Sequence, residues 1–126
     1  MYSEKVTRHF LNPHNVGPLE DATHVGTEGS PGAGNYVMIF LKVEGERIVK
    51  ASFQTYGCAG AISCACELTD MAVGKTVQEA LSITAEELTE SLGGLPLGKG
   101  HCAGLAVGAL RKALTEKPAE GEAQAP

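Results

Sequence analysis

The sequence predicts one domain of mixed structure, with β-strands in its first half and helices through its second. Three observations carry this. The chain has 126 residues, of which 43% are hydrophobic, enough for one modest core. Residues 37, 39, 41 and 43 alternate Val, Ile, Leu and Val ahead of a turn sequence. After residue 60 the apolar spacing becomes helical and is punctuated by helix-start and helix-stop signals.

The elements follow in order. Ser3 is placed to cap a short helix with Val6 and Phe10 on one face, which Asn12-Pro13 ends. Glycines at 17, 26, 29, 32 and 34 and prolines at 18 and 31 make the next stretch loop-like, although Thr23 to Glu28 can add an edge strand. Tyr36 to Val43 reads as a strand, and Met38 and Phe40 indicate that its second face is partly covered. Glu44-Gly45-Glu46 supplies a turn, and Ile48 to Tyr56 returns as the antiparallel partner.

Ala61 to Val73 reads as a helix with Ile62, Ala65, Thr69 and Ala72 near one stripe and Gly74 as its stop. Thr76-Val77-Gln78-Glu79 and Thr84-Ala85-Glu86-Glu87 are capping boxes, each opening a short helix. Gly93-Gly94 and Pro96 interrupt the chain before a last helix, Cys102 to Leu114, with Leu105, Ala106, Ala109 and Ala113 inward. The domain is therefore expected to span 1–115. The tail, 116–126, has no apolar periodicity and is expected to be disordered.

Composition excludes several classes. No apolar run approaches the roughly 18 residues of a membrane span. Met1-Tyr2-Ser3-Glu4-Lys5 lacks a secretion signal, so a cytoplasmic protein without membrane association is expected. A net charge of -5 and the absence of a basic run give no footprint for nucleic acid. In a reducing compartment, the four cysteines at 58, 64, 66 and 102 argue for metal or sulfur chemistry over disulfides.

Cys58 and Cys102 stand out among the four. Each lies close behind a glycine and opens an apolar helical stretch, where the partial positive charge of a helix N-terminus favours a thiolate. Their glycine flanks describe an exposed backbone and not a packed core position. His101 adds a second soft donor beside Cys102, and Lys99 adds a cation near it. Cys64 and Cys66 suit the ordinary role of a small buried hydrophobe. Two residues apart on a helix, they point about 200° away from each other and cannot share one ion. Cys66 is rotated by only about 80° from Cys58 in helical projection and is a weaker candidate for a shared site. His9, His14 and His24 read as satisfied surface histidines. A Cys-His hydrolase or thiol transferase is disfavoured, because adjacent residues at a helix start rarely form the required hydrogen bond and no third orienting group is evident.

Tyr2-Ser3-Glu4-Lys5-Val6, His9, Asn12-Pro13, Asn15-Val16-Gly17, Thr55-Tyr56-Gly57-Cys58, Gly74-Lys75 and Lys99-Gly100-His101-Cys102 occur in the order of the U-type iron-sulfur cluster scaffolds. The chain resembles these proteins, the IscU proteins and NifU N-terminal domains, from residue 2 to about 115. The resemblance implies an α+β fold, a three-stranded antiparallel sheet with helices packed against it. It implies a scaffold or carrier and not an enzyme. Such a protein accepts sulfur from a cysteine desulfurase, builds a transient [2Fe-2S] cluster with iron and passes it to acceptor proteins. Carried over by position, Cys58, His101 and Cys102 correspond to cluster or metal ligands, Cys102 to the sulfur acceptor and Lys99 to a supporting lysine.

The chain also departs from the family pattern. Where the family carries Pro-x-Cys-Gly-Asp, this chain has Pro31-Gly32-Ala33-Gly34-Asn35, so Ala33 replaces a ligand cysteine and Asn35 an aspartate. Asn35 is left as a weaker metal candidate, since a carboxamide brings no charge to the ion. Leu95-Pro96-Leu97-Gly98-Lys99 stands where chaperone-binding members carry Leu-Pro-Pro-Val-Lys, which puts an Hsp70-type chaperone partner in question. With three good donors left, the alternative is a non-assembling paralogue that binds zinc or modulates a cysteine desulfurase.

Overall fold

The computed structural model describes residues 4–29, 36–56, 59–94 and 100–115, without the side chains of Ala59 and His101. Ser3, the 30–35 loop, residues 57–58, the 95–99 segment and the 116–126 tail lie outside the described residues. Helix α1 is Glu4–Leu11, and strands β1 (His24–Gly29), β2 (Tyr36–Glu44) and β3 (Arg47–Tyr56) follow. Helices α2 (Ala59–Ala72), α3 (Val77–Leu81), α4 (Ala85–Ser91) and α5 (Gly100–Thr115) complete the order.

The strands form one antiparallel sheet in the order β1-β2-β3, and the edge strand read from Thr23 to Glu28 is β1. Glu44 pairs with Arg47 across a two-residue turn in which Gly45 and Glu46 have φ of 57° and 72°. These left-handed angles match the twist of a hairpin. Gly26, Ile39 and Phe53 are aligned across the sheet and share its inner face, with Val37, Leu41 and Ile48 also fully buried. Helices α2 and α5 pack on this face.

Gly26 fixes how closely α5 approaches. A Cβ at this position would stand 2.2 Å from the backbone N of Ala113 and 2.4 Å from the carbonyl O of Ala109, so only glycine fits. Both capping boxes form. Thr76 and Glu79, and Thr84 and Glu87, exchange side-chain and backbone hydrogen bonds at the starts of α3 and α4. Gly74, with φ 93°, follows the end of α2 as expected.

Three expectations about faces need correction. Phe10 is exposed, and α1 turns Val6 and His9 inward, because His9 finds the Glu67 carboxylate on α2. Burial on α2 is no stripe. Ala61, Ser63, Cys64, Ala65, Cys66, Glu67, Leu68 and Thr69 are all buried, since α1, α4, α5 and the sheet surround this helix. Cys102 is fully buried, contrary to the exposure implied by its glycine flanks. The reason is helical spacing. Cys102 lines up with Ala106, Ala109 and Ala113, the buried face of α5, while Gly104 lies on the exposed one.

Candidate functional site

Four chain segments converge at one end of the sheet. Gly29 pairs with Tyr36, and Tyr36 with Tyr56, so the last residue of β1, the first of β2 and the last of β3 stand side by side. Residues 30–35, among them Ala33 and Asn35, lie in sequence between the first two of these strand ends, and residues 57–58, with Cys58, follow the third. Helix α2 starts at this end and runs back to the start of β3, where the N–H of Gly74 donates to Ile48 O at 2.8 Å and the N–H of Ile48 to Lys75 O at 2.9 Å.

Helix α5 has its N-terminus toward the same end. Advancing along β1 from Gly26 to Glu28 moves the contact on α5 backward, from Ala113 to Gly108, and Glu28 pairs with Lys112 at 2.9 Å. Strand and helix are therefore antiparallel. The two longest helices consequently direct the positive ends of their dipoles to one region. Cys102 lies in the first turn of α5 and is a thiol, as are Cys64 and Cys66. Cys58 and Lys99 lie outside the described residues, as do Ala33 and Asn35. The backbone of His101 belongs to the first turn of α5.

A second group of donors converges beside α1, and the sequence did not reveal it. One ring nitrogen each of His9 and His14 and the Sγ of Cys66 all lie within 4.8 Å of one another. The Nδ1 of His14 stands 3.3 Å from the Cys66 sulfur, and the two imidazole centroids are 5.4 Å apart. Both histidines have carboxylate partners. His9 Nε2 is 2.8 Å from Glu67 Oε1, and His14 Nε2 is 2.6 Å from Asp70 Oδ2.

The short Asn12–Gly17 segment positions His14. Asn15 takes a φ of 63°, which asparagine tolerates, and its Nδ2 donates to Thr69 Oγ1 and Asp70 Oδ1, both at 3.0 Å. The N–H groups of Phe53 and Gly17 donate to the carbonyls of Asn15 and Phe53 respectively, each at 2.8 Å, anchoring the segment to β3. Cys66 thus belongs to different neighbours from the candidates at the helix N-termini. It lies about 10 Å along the axis from the first residue of α2.

Electrostatics mark the same region. Burial pushes the Cys66 thiol above its ordinary pKa, against a lowering hydrogen bond from the His14 backbone, and Asp70 and Glu67 raise it further. Burial also raises Glu67, but hydrogen bonds from Ser91, His9 and Lys5 outweigh it and hold the carboxyl below its ordinary range. The Nζ of Lys5 donates to Glu67 Oε2 and to the carbonyl of Ser91, both at 3.0 Å, so one carboxylate ties α1, α2 and α4 together. No helix among the described residues is long and apolar enough to cross a membrane.

Comparison with known proteins places this architecture. The sequence matches the family described as NifU-like N terminal domain over residues 1–122. The iron-sulfur cluster assembly scaffold protein IscU 1 of Archaeoglobus fulgidus is 52% identical over 116 residues, 92% of this chain and 76% of that protein. The IscU scaffold protein of Aquifex aeolicus is 44% identical over 117 residues, 91% of this chain and 74% of that protein. The crystal structure of the N-terminal part of a nitrogen-fixing NifU-like protein from Brucella abortus superposes with a TM-score of 0.69 at 15% identity. It covers 89% of this chain and 90% of that one, and it shows the shared fold.

Proposed function

The chain belongs to the NifU-like N-terminal domain family, and from that membership we propose that it is an iron-sulfur cluster assembly scaffold or carrier. The observation that carries the reading is the shared end of the sheet. The last residue of β1, the first of β2, the last of β3 and the first turns of α2 and α5 lie at that end, under two helix dipoles. In this reading Cys58, His101 and Cys102 hold the cargo, a [2Fe-2S] cluster, and a fourth donor comes from an external thiol or a second protomer. The lysine Lys99 supports the ionised sulfur.

Sulfur arrives from a cysteine desulfurase as the outer atom of a persulfide. The Cys102 thiolate attacks that atom, a new S–S bond forms, and the old one breaks to return the donor's thiolate. Two such sulfurs need four electrons to become the two sulfides of a [2Fe-2S]2+ cluster: two iron(II) ions give one each as they become iron(III), and two external thiols give the other two as they form a disulfide. The thiolate of Cys102 is thereby freed to hold the iron, and acceptor proteins receive the finished cluster.

Anaerobic incubation of the protein with iron(II), a thiol, and cysteine plus a desulfurase tests this. A visible-absorbing species containing labile sulfide is expected, and Cys58→Ser and Cys102→Ser each abolish it. Equal assembly by both variants refutes the ligand assignment. Ala33 and Asn35, which replace two donors of the family pattern, favour one competing reading, a paralogue that binds zinc or modulates the desulfurase without building clusters. Desulfurase binding with no labile sulfide at any iron concentration selects that reading instead.

A further inference from the structure

The His9, His14 and Cys66 cluster has the composition, spacing and surroundings of a metal centre. Two imidazoles and a thiol are the donor set that suits zinc. Around a tetrahedral zinc, with Zn–S of about 2.3 Å and Zn–N of about 2.0 Å, a sulfur and a nitrogen ligand stand about 3.5 Å apart. The Cys66 Sγ and His14 Nδ1 are 3.3 Å apart.

The carboxylates complete the pattern. In a ligating histidine, one ring nitrogen binds the metal while the other donates its N–H to a carboxylate, which fixes the tautomer and raises the basicity of the ligand. Here Glu67 faces Nε2 of His9 and Asp70 faces Nε2 of His14, so Nδ1 of each ring is the nitrogen with a lone pair to offer. Two independent carboxylate-histidine pairs directed at one thiol are more than a solvated surface requires. Their supports are built in as well. Asp70 is held by Asn15, and Glu67 by Lys5 and Ser91. Burial of Cys66 and His9 keeps solvent from two of the donors, whereas the His14 side chain is 46% exposed and opens a path for the ion.

We propose that His9, His14 and Cys66 form a zinc site on the α1–α2 face, with Glu67 and Asp70 orienting the two histidines and a water completing the tetrahedron. Binding converts the Cys66 thiol to a thiolate and releases its proton to solvent. The site shares no residue with Cys58, His101 and Cys102, and it does not depend on the scaffold reading. Its structural effect is to clip the Asn12–Gly17 segment and the end of α1 onto α2.

Cobalt(II) titration with zinc competition tests the proposal in a Cys58→Ser/Cys102→Ser background, which removes the other thiolate site. One cobalt per chain with a sulfur-to-cobalt charge-transfer band is expected, displaced by one equivalent of zinc. Cys66→Ser removes the band, His14→Asn weakens binding at least as much as loss of an orienting carboxylate, and Asp70→Asn weakens it by about 10-fold to 100-fold. His14 and Asp70 are both surface positions, so the latter two variants stay folded if the buried Cys66→Ser does not. Absence of the band in the double-serine background, or its survival unchanged in both Cys66→Ser and His14→Asn, overturns the site. Ring-nitrogen NMR of the unmodified protein tests the same site without substitutions. Zinc-induced shifts at Nδ1 of His9 and His14 support the site, and shifts confined to His101 overturn it.

Discussion

Gly26→Ala measures how strictly the sheet dictates the position of α5. The new Cβ would lie 2.2 Å from Ala113 N and 2.4 Å from Ala109 O, at least 1 Å inside the 3.4 Å at which ordinary contact begins. Both atoms are helix backbone, so no rotamer change relieves the clash and α5 must lift by roughly 1 Å. A gap of about 0.5–1 Å already forfeits a quarter to a half of the dispersion well across an interface. On α5 that interface includes Ala106, Ala109, Leu110 and Ala113, all buried. The cost therefore falls at or above the upper end of the overpacking range, about 3 kcal/mol. In a domain of this size that lowers Tm by about 10 °C.

Gly104→Ala is the matched control. It lies on the exposed face of the same helix with nothing within 4 Å of its added Cβ, and it should stabilise the protein by about 0.5–1 kcal/mol through helix propensity alone. Paired urea and thermal unfolding curves give both values. Because Cys102 is fully buried in the first turn of α5, lifting the helix should also speed its alkylation relative to the parent. A loss below about 1 kcal/mol for Gly26→Ala would refute the close approach of α5 to β1.

Other consequences are as direct. The Glu67 carboxyl has a depressed pKa in the folded protein, so its stabilising contribution is complete above the ordinary value of 4.5 and is lost as pH falls through the folded value. Urea midpoints measured from pH 6 downward should fall less steeply in Glu67→Gln than in the parent, and superimposable slopes would contradict the assignment. Thr84→Ala removes the hydroxyl that accepts from Glu87 N–H at 3.1 Å, and should cost about 1 kcal/mol by urea unfolding, with Thr84→Ser close to the parent. Restoring the family donors with Ala33→Cys and Asn35→Asp should tighten iron or zinc binding at the shared sheet end. Unchanged affinity and stoichiometry would place the 30–35 loop away from Cys58 and Cys102.

The hairpin and the capped helices were legible because their signals are local. Alternation at Val37, Ile39 and Leu41 and the Gly45-Glu46 turn need no knowledge of distant residues, and neither do the Thr76 and Thr84 boxes. The wrapping of α2 was not legible in the same way. Alanine, serine and cysteine occupy half of its positions, and residues this small carry little hydrophobic contrast, so a helix buried on nearly every side resembles a weakly amphipathic one. Phe10 misled for a related reason. Hydrophobicity alone placed it inward, but the polar chain from Lys5 and His9 to Glu67 sets the rotation of α1.

The two thiol clusters divide along this line. The residue types at Cys58, His101 and Cys102 were readable as chemistry, while the 44-residue separation of the cysteines carries no sign that they meet, and Cys58 lies outside the described residues. The His9, His14 and Cys66 cluster carries no local sign, because His14 and Cys66 stand 52 positions apart and meet only through the docking of Asn15 on α2 and β3. Burial then adds what spacing could not. A helix N-terminus favours a thiolate at Cys102, yet the alignment of Cys102 with Ala106 and Ala109 places that sulfur in the core. Electrostatics and access are thus set by different features of the same turn. In the proposed role of Cys102 as sulfur acceptor, delivery would require the start of α5 to open, because the residue is fully buried.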